Sequence, residues 1–457
     1  MKVHFISIGG SVMHQLAIAL HRKGYQITGT DDEIFEPSRT NLLQEGILPT
    51  SMGWQPDLIT KDLDAVILGM HARNDNPELE KAVELGLKIF SFPEYIYHES
   101  RQKKRIVVGG SHGKTTTTSM IMHVLSKLHF DFDYLVGAKL NGFDQSVNIT
   151  DAPIIVCEGD EYPASAIEKK PKFHFLFPHI AILTGIAWDH INVFPTFDFY
   201  LEQFRVFIAK IEVGGLLIYN NTDKVLNHLV EESHRSDIRY QPYEVPVHEI
   251  LDGNTSVTIN GSTSNLKVFG NHNLMNLYAA YYACKEIGVT ANDFVTAIAD
   301  FTGASKRLEL LAYNSSMNVY RDFAHAPSKV KATTEAVKQQ YPNRKLIGIL
   351  ELHTFSSLNE KFMGEYQGAL SKADVAIVFY SKHALELKRL PDLPIDIIRH
   401  GFDQPGLLVM NNKQELEDWL FKNDFSNSNI VLMSSGNYDG IDMLTFAKRV
   451  TNKSVNL

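Results

Sequence analysis

Gly110-Ser-His-Gly-Lys-Thr-Thr-Thr-Thr118 follows the apolar run Ile106–Val108 and precedes a segment of helical periodicity, Ser119 to Leu128. A glycine turn between a strand and a helix aims backbone N–H groups and a helix N-terminus at one point, which suits phosphate oxygens. In that setting Lys114 neutralises the β/γ charge and the Thr115 hydroxyl reaches Mg²⁺. The strict Walker spacing asks for glycine at position 108, where the chain has Val108, so the turn reads as a shortened variant. A plain strand-to-helix turn with a Thr-rich first helical turn is the bland alternative. Lysine, threonine and strand context together favour phosphate, with Gly110, Ser111, His112, Gly113, Lys114, Thr115 and Thr116 as the ATP-binding set.

Outward from this stretch the same rhythm recurs: a short apolar run, a Gly or polar turn, then a longer helical segment, the pattern of parallel α/β units. Val3 to Ile8, Gln26 to Gly29, Ala65 to Leu68 and Leu87 to Phe90 read as strands of a first unit, closed by a polar, basic linker at Glu99–Lys104. The second unit opens at Arg105, with further strands at Ile154–Cys157 and His179–Leu183. The span from about Leu216 to Lys267 reads as a small antiparallel addition to it. A third unit runs from about Ser305, with buried strands at Leu346–Leu350, Asp374–Phe379 and Ile430–Met433. Neither a repeat nor a low-complexity tract interrupts the series.

The chain has 457 residues, 44 Lys+Arg against 53 Asp+Glu, a net charge of −9 and 44% hydrophobic residues. That length suits two to four domains. An acidic chain without a basic block lacks the electrostatic footprint of a nucleic-acid or anionic-membrane partner. Cys157 and Cys284, both in apolar surroundings, read as reduced core thiols. No apolar run has the length of a membrane span, and Gly9, Gly10, His14 and Gln15 interrupt the start as a signal peptide, so the expectation is a cytoplasmic protein.

Two acidic clusters follow strands of the loop-bearing unit. Glu158-Gly-Asp-Glu161 comes after Ile154–Cys157, and Trp188-Asp-His190 after Ala181–Leu183. Ligands gather beyond the carboxyl ends of parallel strands, and carboxylates there suit a hard cation. Alone, the first cluster is equally a solvated acidic turn, and a lone Asp-His is more often a hydrogen-bonded surface pair; together they point to a two-metal phosphate site with ligands Thr115, Glu158 and His190. Gly270-Asn-His-Asn-Leu-Met-Asn276 opens a helix, and Asn273 and Asn276, three apart, share a face able to present amides to a nucleobase; an N-cap is an equal reading. Lys306-Arg307 supplies a cation or is a basic linker pair. Tyr320-Arg-Asp-Phe-Ala-His-Ala-Pro327 puts Asp322 and His325 at a strand's end, or serves as cap and turn. Near the start, Ile8-Gly-Gly-Ser-Val-Met13 with Asp31 about twenty residues on invites a dinucleotide reading. In the G-x-G-x-x-G frame the positions are Ile8, Gly10 and Met13, of which one fits. A nicotinamide-dependent dehydrogenase is therefore the weaker enzyme hypothesis, and a nucleotide-gated binding protein the non-enzymatic one.

In order, the glycine turn, Gly-Ser-His-Gly-Lys-Thr, Glu-Gly-Asp-Glu, Asp-His, His-Asn-x-x-Asn, Lys-Arg-x-Glu and Asp-Phe-Ala-His-x-Pro resemble the Mur ligase family of peptidoglycan synthesis across essentially the whole chain. Glu161-Tyr162 and the stretch Ala166–Phe173 resemble its recycling branch, which joins a tripeptide to UDP-N-acetylmuramate; the L-alanine-adding branch is the alternative. The resemblance implies an α/β protein of three domains: a Rossmann-like UDP-sugar domain at 1–103, a central P-loop ATPase at 104–304, and a Rossmann-like C-terminal domain at 305–457. It implies an ATP- and Mg²⁺-dependent amide ligase that forms an acyl phosphate and transfers the acyl group to a peptide amine. Lys114, Glu158, His190 and Arg307 take catalytic roles, and Asn273, Asn276, Arg307 and Asp322 join the ATP set. Gly9, Gly10, Ser11, Met13 and Asp31 bind the UDP-sugar, and His325 and His353 are candidates for the acceptor pocket. Lys169, Lys170 or Lys172 is a candidate for carbamylation. The expected partners are UDP-N-acetylmuramate and murein tripeptide, with the protein a monomer or weak homodimer.

Two departures bear on the acceptor. Where alanine-adding relatives carry Thr-Asn-Ile-Glu, this chain has Thr184-Gly-Ile-Ala187. Where they place two arginines in Pro-His-Arg-Tyr-Thr-Arg, it has Leu352-His-Thr-Phe-Ser-Ser357. Arginines suit a small amino acid's carboxylate; Thr354 and Ser357 do not.

Overall fold

The computed structural model describes residues 1–70, 72–137, 140, 142–188, 193–304 and 307–453, the side chain of residue 453 excepted. The chain forms two compact units, Met1–Glu244 with Asn276–Ala297, and Val245–Met275 with Ile298–Leu457.

The first unit holds two sheets. Strands β1 (Lys2–Ile6), β2 (Gln26–Thr30), β3 (Ala65–Leu68) and β4 (Ile89–Ser91) form a parallel sheet in the order β2-β1-β3-β4. Val3, Phe5, Ile6 and Ala65–Leu68 are buried, as continuous apolar runs in parallel sheets require. A seven-stranded sheet follows: β5 (Lys104–Gly109), β6 (Phe132–Leu135), β7 (Val147–Asn148), β8 (Ile154–Glu158), β9 (Ile180–Leu183), β10 (Leu216–Asn220) and β11 (Arg239–Tyr243), ordered β11-β10-β9-β5-β8-β6-β7. All its pairings are parallel except β6 with β7. Phe173 stacks on Phe207 at 4.8 Å and meets Phe204 edge-on at 5.6 Å beneath this sheet. Each such buried ring contributes about 2–3 kcal/mol of transfer free energy.

Glu99–Lys104 is more than a linker. Lys103 Nζ donates to Asp133 Oδ2 at 2.6 Å and to the carbonyls of Thr150 and Ala152 at 2.8 and 2.9 Å. The Arg105 guanidinium reaches the Phe177 and Ser100 carbonyls and Glu212. These cations are buried because every one of their partners is an acceptor.

The antiparallel addition is narrower than the sequence suggested. Leu216–Asn220 and Arg239–Tyr243 extend the parallel sheet, each being long enough for one strand with a helix, Lys224–Glu232, between them. Within that span only β12 (His248–Leu251), β13 (Asn254–Ile259) and β14 (Ser262–Leu266) are antiparallel, and they lie in the second unit. There, β15 (Glu309–Tyr313), β16 (Met317–Asp322), β17 (Lys345–Leu352), β18 (Val375–Tyr380), β19 (Leu408–Met410) and β20 (Ser428–Met433) form a sheet ordered β15-β16-β20-β17-β18-β19, parallel but for β15. Two hydrophobic clusters, one with Leu350 and Val378 and one with Ile349 and Ile377, cover its two faces, following the alternation of side chains along each strand. No helix among the described residues is long and apolar enough to cross a membrane.

Candidate active site

In the seven-stranded sheet the chain leaves β5 toward β6 and leaves β9 toward β10 on the opposite side, so the neighbours β5 and β9 diverge at their carboxyl ends. Residues 110–113 occupy that divergence, followed by the helix Lys114–Lys127. Gly110 has φ +124° and Gly113 φ +78°, backbone that side-chain-bearing residues avoid. A Cβ on Gly110 would strike the Thr184 hydroxyl and come within 2.9 Å of the Thr184 nitrogen, and one on Gly113 would strike the Asn276 amide. The Thr184 hydroxyl donates to the Gly109 carbonyl at 3.2 Å and to that of His112, while Ser111 N donates to the Gly185 carbonyl at 2.9 Å. Asp223, which caps the helix Lys224–Glu232, fixes the 184–187 segment by accepting from Ile186 N at 2.6 Å.

Lys114 Nζ donates to Glu161 Oε2 at 2.6 Å and to the Gly110 carbonyl at 2.7 Å. Burial works against this ammonium, but Glu161, Asp160 and Glu158 outweigh it and raise its pKa. The Thr115 hydroxyl donates to Glu158 Oε1 at 2.7 Å, and Gly137 N to Glu158 Oε2 at 2.8 Å. Asp160 meets Lys172 Nζ at 2.6 Å; burial raises its pKa, but Lys172 and Lys114 more than offset that and hold it below the usual value. Of the three candidate lysines, only Lys172 lies on this acidic cluster; Lys170 pairs with Glu168 at the surface and Lys169 is exposed. Thr115 and Glu158 are hard oxygen donors in contact, a set that fits Mg²⁺. Asp189 and His190 lie outside the described residues, as does Lys306. Among the described residues no group of three His, Cys, Asp or Glu gathers as a metal cluster.

Tyr200, absent from the sequence reading, connects these groups. Its hydroxyl is 2.7 Å from Ser111 Oγ and donates to Glu161 Oε1 at 3.5 Å, while Ser111 Oγ accepts from Ala187 N at 2.9 Å. Tyr200 sits in an aromatic helix, Phe197–Ala209, where one tyrosine carries no distinguishing signal.

At the exit of β1, Gly9 N donates to Asp31 Oδ2 at 2.8 Å and Asp32 N to Oδ1 at 3.0 Å. The Asp31 and Met13 side chains are both buried, that of Met13 in the core. Met13 is apolar in the first turn of a core-facing helix, and Asp31 braces the glycine turn. Ser11 is exposed and Gly10 partly so. The sequence reading missed a cavity of about 530 Å³ beyond β2 and β3, lined by Asp32, Trp54, Met70, Arg73 and Asp75.

In the second unit Arg307 lies 4.7 Å from the Phe323 ring. Asp322 accepts from Leu308 N and Ala324 N at 2.8 and 2.7 Å, and burial, only partly opposed by Arg307 and these N–H groups, pushes its carboxyl up to about 6. His325 Nδ1 bonds its local Phe323 carbonyl at 2.7 Å. The amide of Asn273 donates to the Phe269 carbonyl at 3.0 Å. His353 is partly exposed, with Nδ1 3.9 Å from Glu351 Oε1. Thr354 and Ser357 bond each other in a local turn.

The Mur ligase family catalytic domain matches residues 2–104, the Mur ligase middle domain 108–284 and the Mur ligase glutamate ligase domain 306–435. A UDP-N-acetylmuramate–L-alanine ligase of Caldicellulosiruptor bescii is 30% identical over 389 residues, 82% of this chain and 83% of its own. Among solved structures, a murein peptide ligase of Psychrobacter arcticus superposes with TM-score 0.61 at 22% identity, covering 100% of this chain and 99% of its own. The UDP-N-acetylmuramate:L-alanyl-gamma-D-glutamyl-meso-diaminopimelate ligase of Neisseria meningitides gives 0.59 at 25% identity over 66% of this chain and 98% of its own.

Proposed function

This chain belongs to the Mur ligase family of ATP-dependent amide ligases, and from that premise we propose that it joins UDP-N-acetylmuramate to L-alanyl-γ-D-glutamyl-meso-diaminopimelate in peptidoglycan recycling. The observation that carries the choice of acceptor is the exit of β17, where Thr354 and Ser357 stand in place of the two arginines that suit alanine's carboxylate and bond each other in a local turn. The likeness to the Neisseria meningitides structure supports the same reading. Transfer to L-alanine is the second reading, favoured by the curated relatives.

A carboxylate is a poor acyl donor at neutral pH, so the reaction first converts the lactyl carboxylate to an acyl phosphate at the expense of ATP. The peptide amine then attacks the acyl carbon and phosphate leaves. In this chain the N–H groups of 110–113 and Lys114 hold the terminal phosphates, with Lys114 exchanging Glu161 for phosphate oxygen. Thr115 and Glu158 would hold Mg²⁺, which supplies charge neutralisation to the phosphates. His190 is the expected ligand of a second ion, Arg307 and Asp322 serve the nucleotide, and Asn276 backs the loop at Gly113. The cavity between Asp32 and Arg73 receives part of the UDP-sugar.

Phosphate release measured with UDP-N-acetylmuramate and, in turn, L-alanine, L-Ala-γ-D-Glu and the tripeptide tests the reading. Turnover only with the tripeptide supports it; equal or greater turnover with L-alanine transfers the chain to the alanine-adding branch.

A further inference from the structure

In the sheet of the second unit β17 and β20 are neighbours, yet the chain leaves β17 toward β18 and leaves β20 for the helix Met443–Lys453, which packs on β15 and β16. Adjacent parallel strands whose exits diverge leave a crevice beyond their carboxyl ends, where open α/β sheets take ligands. Glu351 and His353 come to that crevice from β17, and Ser434, Ser435 and Gly436 from β20.

The Glu351 side chain is 1% exposed. Its Oε2 accepts from the Ser434 hydroxyl and from Tyr438 N at 2.9 Å. Its Oε1 has no hydrogen-bond donor among the described residues, and His353 Nδ1, at 3.9 Å, is beyond hydrogen-bonding range. The Ser435 hydroxyl is also buried without a partner among the described residues. Unlike the Ser435 hydroxyl, Oε1 is not fully enclosed: it keeps access to the crevice, where a carboxylate oxygen without a donor suits a cation. Gly436 keeps the place open, since a Cβ there would lie 2.7 Å from the His353 ring and 2.8 Å from Glu351 Oε2. A primary ammonium, with three donors and no acceptor, suits that oxygen, whereas a ligand carboxylate would be repelled by Glu351.

We propose that Glu351 Oε1, assisted by the Ser435 hydroxyl, binds a primary ammonium group of the acceptor peptide, with His353 walling the crevice. This deepens the tripeptide-ligase reading and rests on it. The diamino acid at the end of the tripeptide carries such a group on its side chain and L-alanine does not, which makes Glu351 a specificity-determining residue.

Steady-state kinetics of the full chain test it, comparing wild type, Glu351→Gln and Ser435→Ala with the tripeptide and with the same peptide acetylated on its side-chain amine. Glu351→Gln keeps an oxygen for Ser434 and Tyr438, so the fold is retained and thermal unfolding checks that it is. The tripeptide KM is expected to rise about 10-fold or more in Glu351→Gln and less in Ser435→Ala, with kcat and the KM for ATP within about 2-fold of wild type. An acetylated peptide that binds poorly to wild type and no worse to Glu351→Gln assigns the contact to the side-chain amine. An equal rise for both peptides places the contact on the α-amine, which L-alanine shares, and overturns Glu351 as the residue that selects the diamino acid. Unchanged KM for both peptides overturns the inference. Calorimetric titration of tripeptide onto wild type and Glu351→Gln separates this from the ligase reading: no ligation by wild type with Glu351-dependent binding defeats the reading alone, and binding that is absent or indifferent to Glu351 defeats the inference.

Discussion

Lys114 Nζ lies 2.6 Å from Glu161 Oε2, and Glu161 is buried: the cation of the phosphate loop is held by an internal acid. On the proposed reading, nucleotide phosphate competes with a carboxylate for Lys114, and the same pair contributes to the fold. Lys114→Met is expected to abolish turnover and, by removing the cation that Glu161 faces, to cost about 3 kcal/mol in urea unfolding. Adding Glu161→Gln should recover stability and leave turnover absent. Because folding raises the lysine's pKa, its contribution to stability is complete below about 10.5 and is lost as pH rises through the folded value.

Gly110→Ala is expected to remove measurable Mg-ATP binding by calorimetry. It imposes a Cβ on backbone at φ +124° and drives it into Thr184, whose hydroxyl secures both ends of the turn. Wild-type affinity in this variant would show that the turn does not contact nucleotide.

Tyr200→Phe removes the hydroxyl shared by Ser111 and Glu161 and is expected to cost about 1 kcal/mol of stability, with a several-fold rise in the KM for ATP. Thermal unfolding and an ATP titration at saturating UDP-N-acetylmuramate check the two effects separately.

Asp322 gives a pH signature of opposite sign to that of an ordinary ion-paired acid. Its carboxyl is raised from 3.8 to about 6, so the folded chain binds this proton more tightly than the unfolded one. Stability from this group is complete below about 4 and is lost as pH rises to about 6, by roughly 3 kcal/mol at most. Asp322→Asn should flatten that part of the unfolding-midpoint profile; an unchanged profile assigns it to other groups.

Gly436→Ala is expected to displace the His353 ring and the Glu351 carboxylate, raising the acceptor KM, with about 1–3 kcal/mol of overpacking strain. Parallel titrations of acceptor and ATP distinguish this from general damage, which would move both.

The parallel architecture and the glycine turn between strand and helix at 110–113 were legible because both are local. Continuous apolar runs mark buried parallel strands, and Gly, Lys and Thr at fixed offsets record a turn needing positive φ and a charge. Glu158 was legible too, since it directly ends a strand beside that loop. What escaped was long-range. Glu351 meets a serine 83 positions away, and a lone Glu-Leu-His after an apolar run gives no sign of it. Tyr200 is one aromatic among many, and its meaning comes from the hydroxyl it meets. That Met13 and Asp31 face inward beside the first glycine turn was not legible either, since it depends on the core packed under that turn. The stretch 216–243 read as antiparallel because its Thr and Asn content suggested turns, while register against β9 makes it parallel.

Gly113 abuts Asn276, and Gly110 abuts Thr184, so the nine residues from 110 to 118 take their shape from side chains 74 and 163 positions downstream. Transplanted by itself into a foreign scaffold, this peptide would carry its glycines without the surfaces that mould them. Evolution can thus exchange what surrounds the loop only in concert, and a protein engineer wishing to move it must graft three separate pieces of chain together.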